Sequence, residues 1–88
     1  MKLNLRIYVA ENCPGCDKAR VIASGIEQNH PEIEVELIDI TDSRAVVPEA
    51  VFATPTYMLD DRIVCLGNPS PEQVMQWVEE AATFQPEP

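Results

Sequence analysis

Two stretches with strand character enclose a single helical one, and this order restricts the chain to very few architectures. Residues 3–9, Leu-Asn-Leu-Arg-Ile-Tyr-Val, alternate apolar and polar side chains and are rich in β-branched and aromatic types, the pattern of a strand. From residue 14 to about 29 the apolar positions Ala19, Ile22, Ala23 and Ile26 recur at helical spacing, and Asn29-His30-Pro31 supplies a stop. Residues 33–40 alternate again and then become more uniformly apolar, which predicts a second strand, with Glu34 and Glu36 marking a protected sheet edge. A strand, a helix and a strand joined this way close as a parallel pair with a right-handed crossover.

The rest of the chain extends this unit. Residues 41–52 open with the capping types Thr41, Asp42 and Ser43, but Pro48 limits the segment to a short or broken helix. Residues 55–59 and 63–66 predict two short strands joined through Asp60-Asp61-Arg62, a hairpin that adds antiparallel strands to the sheet. Ser70-Pro71-Glu72-Gln73 has the residues of a capping box with proline at the first helical position, and Val74, Trp77, Val78 and Ala81 then share one helix face. The expected order is β-α-β-α-β-β-α, an α/β fold with a four-stranded mixed sheet flanked by helices. Residues 1–84 read as one domain and 85–88 as a disordered tail.

Size and charge narrow the function. Eighty-eight residues with 45% hydrophobic content fit one core and leave no room for a separate catalytic domain. Such a chain buries about two thirds of its unfolded surface and needs no staples. Six Lys and Arg against fifteen Asp and Glu give a formal charge of −9, which repels phosphate backbones and argues against nucleic acid as a partner. Polar residues such as Asn4, Arg6, Glu11 and Asn12 break every early apolar run, so the expectation is a cytoplasmic protein without a signal or membrane segment.

Three cysteines, two of them in Cys13-Pro14-Gly15-Cys16, do not form the even framework of a disulfide-stapled secreted domain. The pair falls where the first strand meets the first helix. There the helix's unpaired N–H groups and positive dipole end favour a thiolate, and a second cysteine one turn on is placed to attack a mixed disulfide. Redox chemistry is the reading this position and spacing support. Two others stay open: a metal or cluster site completed across a dimer, since the only further soft candidates in one chain are Cys65, in a predicted strand, and the lone His30, and an inert buried pair. Cys65, among Ile63, Val64 and Leu66, reads as a core residue. His30, beside Pro31, reads as a solvated helix-end residue, and Asp17, Asp39, Asp60 and Asp61 as surface or turn charges.

From Leu3 to about Ala82 the order of elements, the C-P-G-C at a helix start, Thr54-Pro55 before a hairpin and Gly67 after it resemble the thioredoxin/glutaredoxin superfamily. The resemblance implies that Cys13 is the nucleophile and Cys16 the resolving thiol. It also implies that Pro55 is cis and lies against the pair, and that Pro14, Gly15, Thr54 and Pro55 bind an extended substrate. It differs from the usual thioredoxin pattern in having Asn12 before Cys13 and Ile7 in place of a buried acid. Ala10 and Leu66-Gly67-Asn68 replace the lysine and the Gly-Gly pair with which glutaredoxins hold glutathione, leaving Asn68 and Ser70 as the substitutes to examine. A second resemblance, carried by residues 5–10, 37–40, 53–56 and 66–67, is to the circadian-clock protein KaiB, an interaction protein without the cysteine pair.

The sequence thus predicts a thiol-disulfide oxidoreductase without a bound cofactor, working as a monomer on protein disulfides. Its implied electron donor is a protein reductant such as a thioredoxin reductase. The rivals are a KaiB-like binding module and a metal-binding dimer.

Overall fold

The computed structural model describes residues 3–83, with side chains through residue 80. The tail at 85–88 and the side chain of Ala81 lie outside the described residues. Six elements follow one another: β1 (Leu3–Val9), α1 (Cys16–Asn29), β2 (Ile33–Asp39), β3 (Thr56–Leu59), β4 (Arg62–Leu66) and α2 (Pro71–Thr83). They form one four-stranded sheet in the order β2-β1-β3-β4. β1 pairs with β2 in parallel, Leu3 opposite Ile33 through Val9 opposite Asp39, as the crossover requires. β3 lies antiparallel to β1, with Leu5 opposite Leu59 and Tyr8 opposite Thr56, and β4 completes the hairpin.

The period-2 alternation of β1 gives the sheet two unlike faces. Leu3, Leu5, Ile7 and Val9 point to one side, where Cys16, Ala19, Ala23 and Ile26 of α1, Tyr57 and Leu59 of β3 and Trp77 of α2 close the main core. Both helices therefore cover the same face. Tyr8 points to the other side and joins Met58 and Val51 in a smaller cluster, against which Ile38, Ile40 and Val47 pack. The connection 40–55 supplies that second cover.

This connection contains no α-helix, which corrects the expected short helix between β2 and β3. Its polar residues satisfy the backbone locally instead. Asp39 accepts hydrogen bonds from the Thr41 N–H and hydroxyl, and Asp42 accepts from the Arg44 N–H and guanidinium. These contacts hold both carboxyls below their ordinary range, through the Thr41 hydroxyl first for Asp39 and the Arg44 side chain first for Asp42. Side chains that bond two residues ahead compete with helical hydrogen bonding, and Pro48 removes a further donor. The opposite face is thus covered by three apolar side chains hung from turns.

The turns that fix the other strands use the residues expected of them. Asp60, with φ 54°, opens the β3–β4 hairpin; its N–H donates to the Asn4 carbonyl at 2.7 Å, and its carboxylate accepts from the Asn4 N–H. Between Tyr57/Cys65 and Met58/Ile63 the ladder shifts by one residue, leaving Val64 as the extra residue of β4. At the start of α2 the Gln73 N–H donates to the Ser70 hydroxyl at 3.2 Å, and the Ser70 N–H donates to Oε1 of Gln73 at 2.9 Å, the reciprocal pair of a capping box. α1 begins at Cys16 rather than Pro14, two residues later than the periodicity suggests, because residues 13–15 turn into it.

Candidate active site

β1 ends in Ala10-Glu11-Asn12, and Asn12 takes a left-handed conformation, φ 55°, that swings the chain off the sheet before the cysteines. Asparagine tolerates this region better than most residues. Cys13-Pro14-Gly15 then wraps the entry to α1, with the Cys16 N–H donating to the Cys13 carbonyl at 3.0 Å. Cys13 and Cys16 are joined by a disulfide across a Cα–Cα distance of 5.3 Å. Their surroundings differ sharply. Cys16 is fully buried in the main core beside Ala19, whereas Cys13 is half-buried, and Pro14 is exposed.

The exposed side of the turn faces a wide open depression of about 680 Å³, lined by residues from Ala10 to Pro14 and by Asp17 and Arg20. Asp17 and Arg20 form an ion pair at 3.7 Å on the solvent side of α1. An exposed pair one helical turn apart contributes little stability, so its bearing is on the charge presented beside Cys13.

Thr54-Pro55 is cis. Pro55 is buried and lies directly against the cysteine turn: a Cβ added at Gly15 would stand 3.3 Å from Pro55 Cδ. The Pro55 carbonyl accepts the Gly67 N–H at 2.8 Å, which ties the start of β3 to the end of β4. Among the described residues the N–H and carbonyl of the half-buried Thr54 have no hydrogen-bond partner. Thr56, next along, is fully buried and donates its hydroxyl to the Ala53 carbonyl at 2.6 Å. Of the six residues singled out, the structure brings Cys13 to Cys16 and Gly15 to Pro55, with Thr54 and Pro14 as their chain neighbours.

One residue of this cluster was missed. Asn68 sits between the loop after β4 and the cysteine turn, its Nδ2 donating to the Gly15 carbonyl at 2.9 Å and its Oδ1 accepting from the Tyr57 hydroxyl at 2.9 Å. In sequence it is a loop asparagine after a glycine, weighed only as a glutathione substitute. No periodicity or short-range spacing links it to a residue 53 positions away. Gly67, with φ 83°, is the local signal that the chain turns sharply there.

Cys65 is a free thiol, half-buried on β4 and packed against the main core, and burial pushes its pKa up. It is not the core residue its apolar neighbours suggested: on this edge strand Ile63 and Leu66 are exposed and Cys65 only flanks the core. His30 closes α1, its N–H bonded to the Ile26 carbonyl at 2.8 Å and its ring 3.5 Å from Glu32. Among the described residues no group of three or more His, Cys, Asp and Glu is placed to hold a metal ion. Nor among them is any helix long and apolar enough to cross a membrane.

Similarity to known proteins extends over most of the described chain. A family profile described as thioredoxin domain matches residues 3–79. No curated protein matches the sequence. A Fasciola hepatica thioredoxin superposes with a TM-score of 0.69 at 18% identity, covering 91% of this chain and 81% of its own. A Staphylococcus aureus protein of unknown function superposes with a TM-score of 0.63 at 13% identity, covering 97% and 95%. At these identities the likeness is one of fold.

Proposed function

Since the chain belongs to the thioredoxin domain family, we propose that it is a thiol-disulfide oxidoreductase in which Cys13 attacks protein disulfides and Cys16 resolves them. The observation that carries this is the asymmetry of the pair, one sulfur on a half-buried residue just ahead of α1 and the other fully buried at the first residue of the helix.

The chemistry follows from that placement. A thiolate on Cys13 is stabilised by the unpaired N–H groups and the dipole of the first turn of α1. It attacks one sulfur of a substrate disulfide, forming a Cys13–substrate bond and expelling the other substrate sulfur as a thiolate. Cys16, deprotonated in turn, attacks Cys13 Sγ, the mixed disulfide breaks, and the second substrate sulfur leaves with its electron pair. One Cys13–Cys16 disulfide forms and one substrate disulfide becomes two thiols, a two-electron exchange. Thr54, whose backbone groups have no partner among the described residues, and Pro55, Gly15 and Pro14 form the wall along which an extended substrate lies.

Both sulfurs come from one chain, so the reaction needs no second copy, and we place the protein as a monomer in a reducing compartment such as the cytoplasm. The electron donor we infer is a protein dithiol, of the thioredoxin reductase type, rather than glutathione. Asn68, which stands where a glutaredoxin would offer a glutathione-binding backbone, already uses both ends of its amide on Gly15 and Tyr57.

Sub-stoichiometric iodoacetamide added to the reduced protein near pH 6, followed by peptide mass mapping, tests the assigned roles. The label is expected on Cys13 in large excess over Cys16 and Cys65. A label mainly on Cys16 or Cys65, or an equal split, would contradict the assignment.

A further inference from the structure

Outside the cysteine pair, the Asn68 amide links the turn directly to the sheet core. Its orientation is decided by its partners. The Gly15 carbonyl is only an acceptor, so the amide nitrogen must face it, and the amide oxygen must then face Tyr57, whose hydroxyl must donate. Tyr57 is fully buried, and its ring packs tilted by 36° against Trp77 of α2, with centroids 5.8 Å apart. Burial raises the phenol's pKa above its ordinary value, so the donor is retained at physiological pH.

At the other end the Gly15 carbonyl is doubly engaged, by Asn68 and by the Ala19 N–H at 3.0 Å. Ala19 supplies the first turn of α1, the turn that carries Cys16. The carbonyl that connects the two cysteines is therefore fixed from the helix on one side and from the β3–α2 core on the other. The fit is close: a Cβ at Gly15 would stand 3.3 Å from Asn68 Nδ2.

We propose that Asn68, oriented by Tyr57, is a positioning residue for the resolving step: it holds the Gly15 peptide so that Cys16 stays aligned with Cys13 after the disulfide opens. This rests on the reading of Cys13 and Cys16 as a redox pair. Attack of Cys16 on a mixed disulfide is intramolecular, and its rate depends on how often the two sulfurs occupy an attack geometry. A disulfide supplies its own constraint, but the dithiol and the mixed disulfide do not. In those states the hydrogen bonds to Gly15 remain to define the turn. The attack by Cys13 on an incoming disulfide is bimolecular and depends on the thiolate at the helix mouth, so it does not draw on the clamp in the same way.

The two steps separate in one experiment. Reduced protein in a Cys65→Ser background is mixed with excess 5,5′-dithiobis(2-nitrobenzoate), and thionitrobenzoate release is followed by stopped flow. Cys13 attack releases the first thionitrobenzoate and leaves a Cys13 mixed disulfide; Cys16 attack releases the second and closes the Cys13–Cys16 bond. In Asn68→Ala the second phase is expected to slow about fivefold to tenfold, the loss of one or more hydrogen bonds' worth of alignment, with the first phase within about twofold of the parent. Tyr57→Phe, which keeps the ring and removes only the hydroxyl, is expected to shift the second phase in the same direction by about twofold to threefold, and it carries the test alone if Asn68→Ala does not fold. Second phases equal to the parent's in the folded variants, or equal slowing of both phases, would overturn the clamp while leaving the redox reading intact. A parent that releases thionitrobenzoate without ever closing the Cys13–Cys16 bond would overturn both.

Discussion

Replacing Cys16 by serine is expected to turn the protein into a trap for its substrates, and replacing Cys13 to abolish its activity. Cys13→Ser removes the sulfur at the helix mouth that initiates exchange, and turnover of a protein disulfide should fall by about three orders of magnitude or more. Cys16 remains in that variant, but it is fully buried in the main core and presents no sulfur to an incoming disulfide. Cys16→Ser leaves the first attack intact and deletes the intramolecular second one. The mixed disulfide then breaks only through external thiols, and its lifetime should lengthen on the order of a thousandfold or more, because a well-oriented neighbour acts as an enormous local concentration. Non-reducing electrophoresis and intact mass spectrometry read the adduct directly, in a Cys65→Ser background so that the free thiol of β4 cannot contribute. Adducts accumulating equally in both variants would contradict the division of roles.

The second large effect concerns stability. Ile7 lies at the centre of β1 with no exposed surface, between Leu5 and Val9 in the main core. β1 pairs with both β2 and β3 and is sealed on one face by both helices, so a void at Ile7 has little freedom to collapse. Ile7→Ala is expected to cost about 2–5 kcal/mol, a large share of the about 5–15 kcal/mol that holds a domain together. Urea denaturation of the oxidised protein should show a lower midpoint at nearly unchanged slope. Val21→Ala, at an α1 position 71% exposed, should move stability by no more than about 0.5 kcal/mol. Near-equal losses in the two variants would mean that the core is not organised around β1.

Much of this architecture is written in local patterns. The alternation of residues 3–9 separates the core face of β1 from Tyr8, the helical spacing of Ala19, Ile22, Ala23 and Ile26 aims α1 at that face, and Ser70 to Gln73 mark the start of α2. The cysteine spacing marks a strand–helix junction as the candidate site, and the family resemblance implies the Thr54-Pro55 turn beside it, where Pro55 packs on Gly15. Two features escaped for different reasons. In the 40–55 connection, capping residues that could begin a helix satisfy themselves in turns, since Asp39 and Asp42 each reach a backbone N–H two residues on. The choice between those outcomes is decided by what must be covered, here Tyr8 and Met58 on the second face. Asn68 escaped because its role exists only once the loop after β4 has been folded back to the start of α1. A short polar side chain declares nothing about a partner that far along the chain.

The same separation of local and long-range information explains why the proposed substrate-facing wall is legible in the sequence while its support is not. Cys13, Pro14, Gly15 and Cys16 form one run, and Thr54 and Pro55 another, each recognisable as a unit. Their meeting, with Gly15 against Pro55, depends on β3 lying next to β1 and on the crossover delivering α1 over that pairing. Close packing rather than an unusual backbone favours glycine at 15, since an added Cβ would press on Pro55 and Asn68 at 3.3 Å whereas the φ of −84° suits any residue.

A single-turnover electron balance follows both ends of the proposed exchange at once. Fully reduced protein, freed of reductant, is mixed with insulin, quenched by alkylation, and both partners are analysed by peptide mass mapping. For each insulin disulfide opened, two new insulin thiols, one new Cys13–Cys16 disulfide and an unchanged Cys65 thiol are expected. Insulin left intact, or opened with its electrons drawn from Cys65 while Cys13 and Cys16 remain reduced, would contradict that exchange.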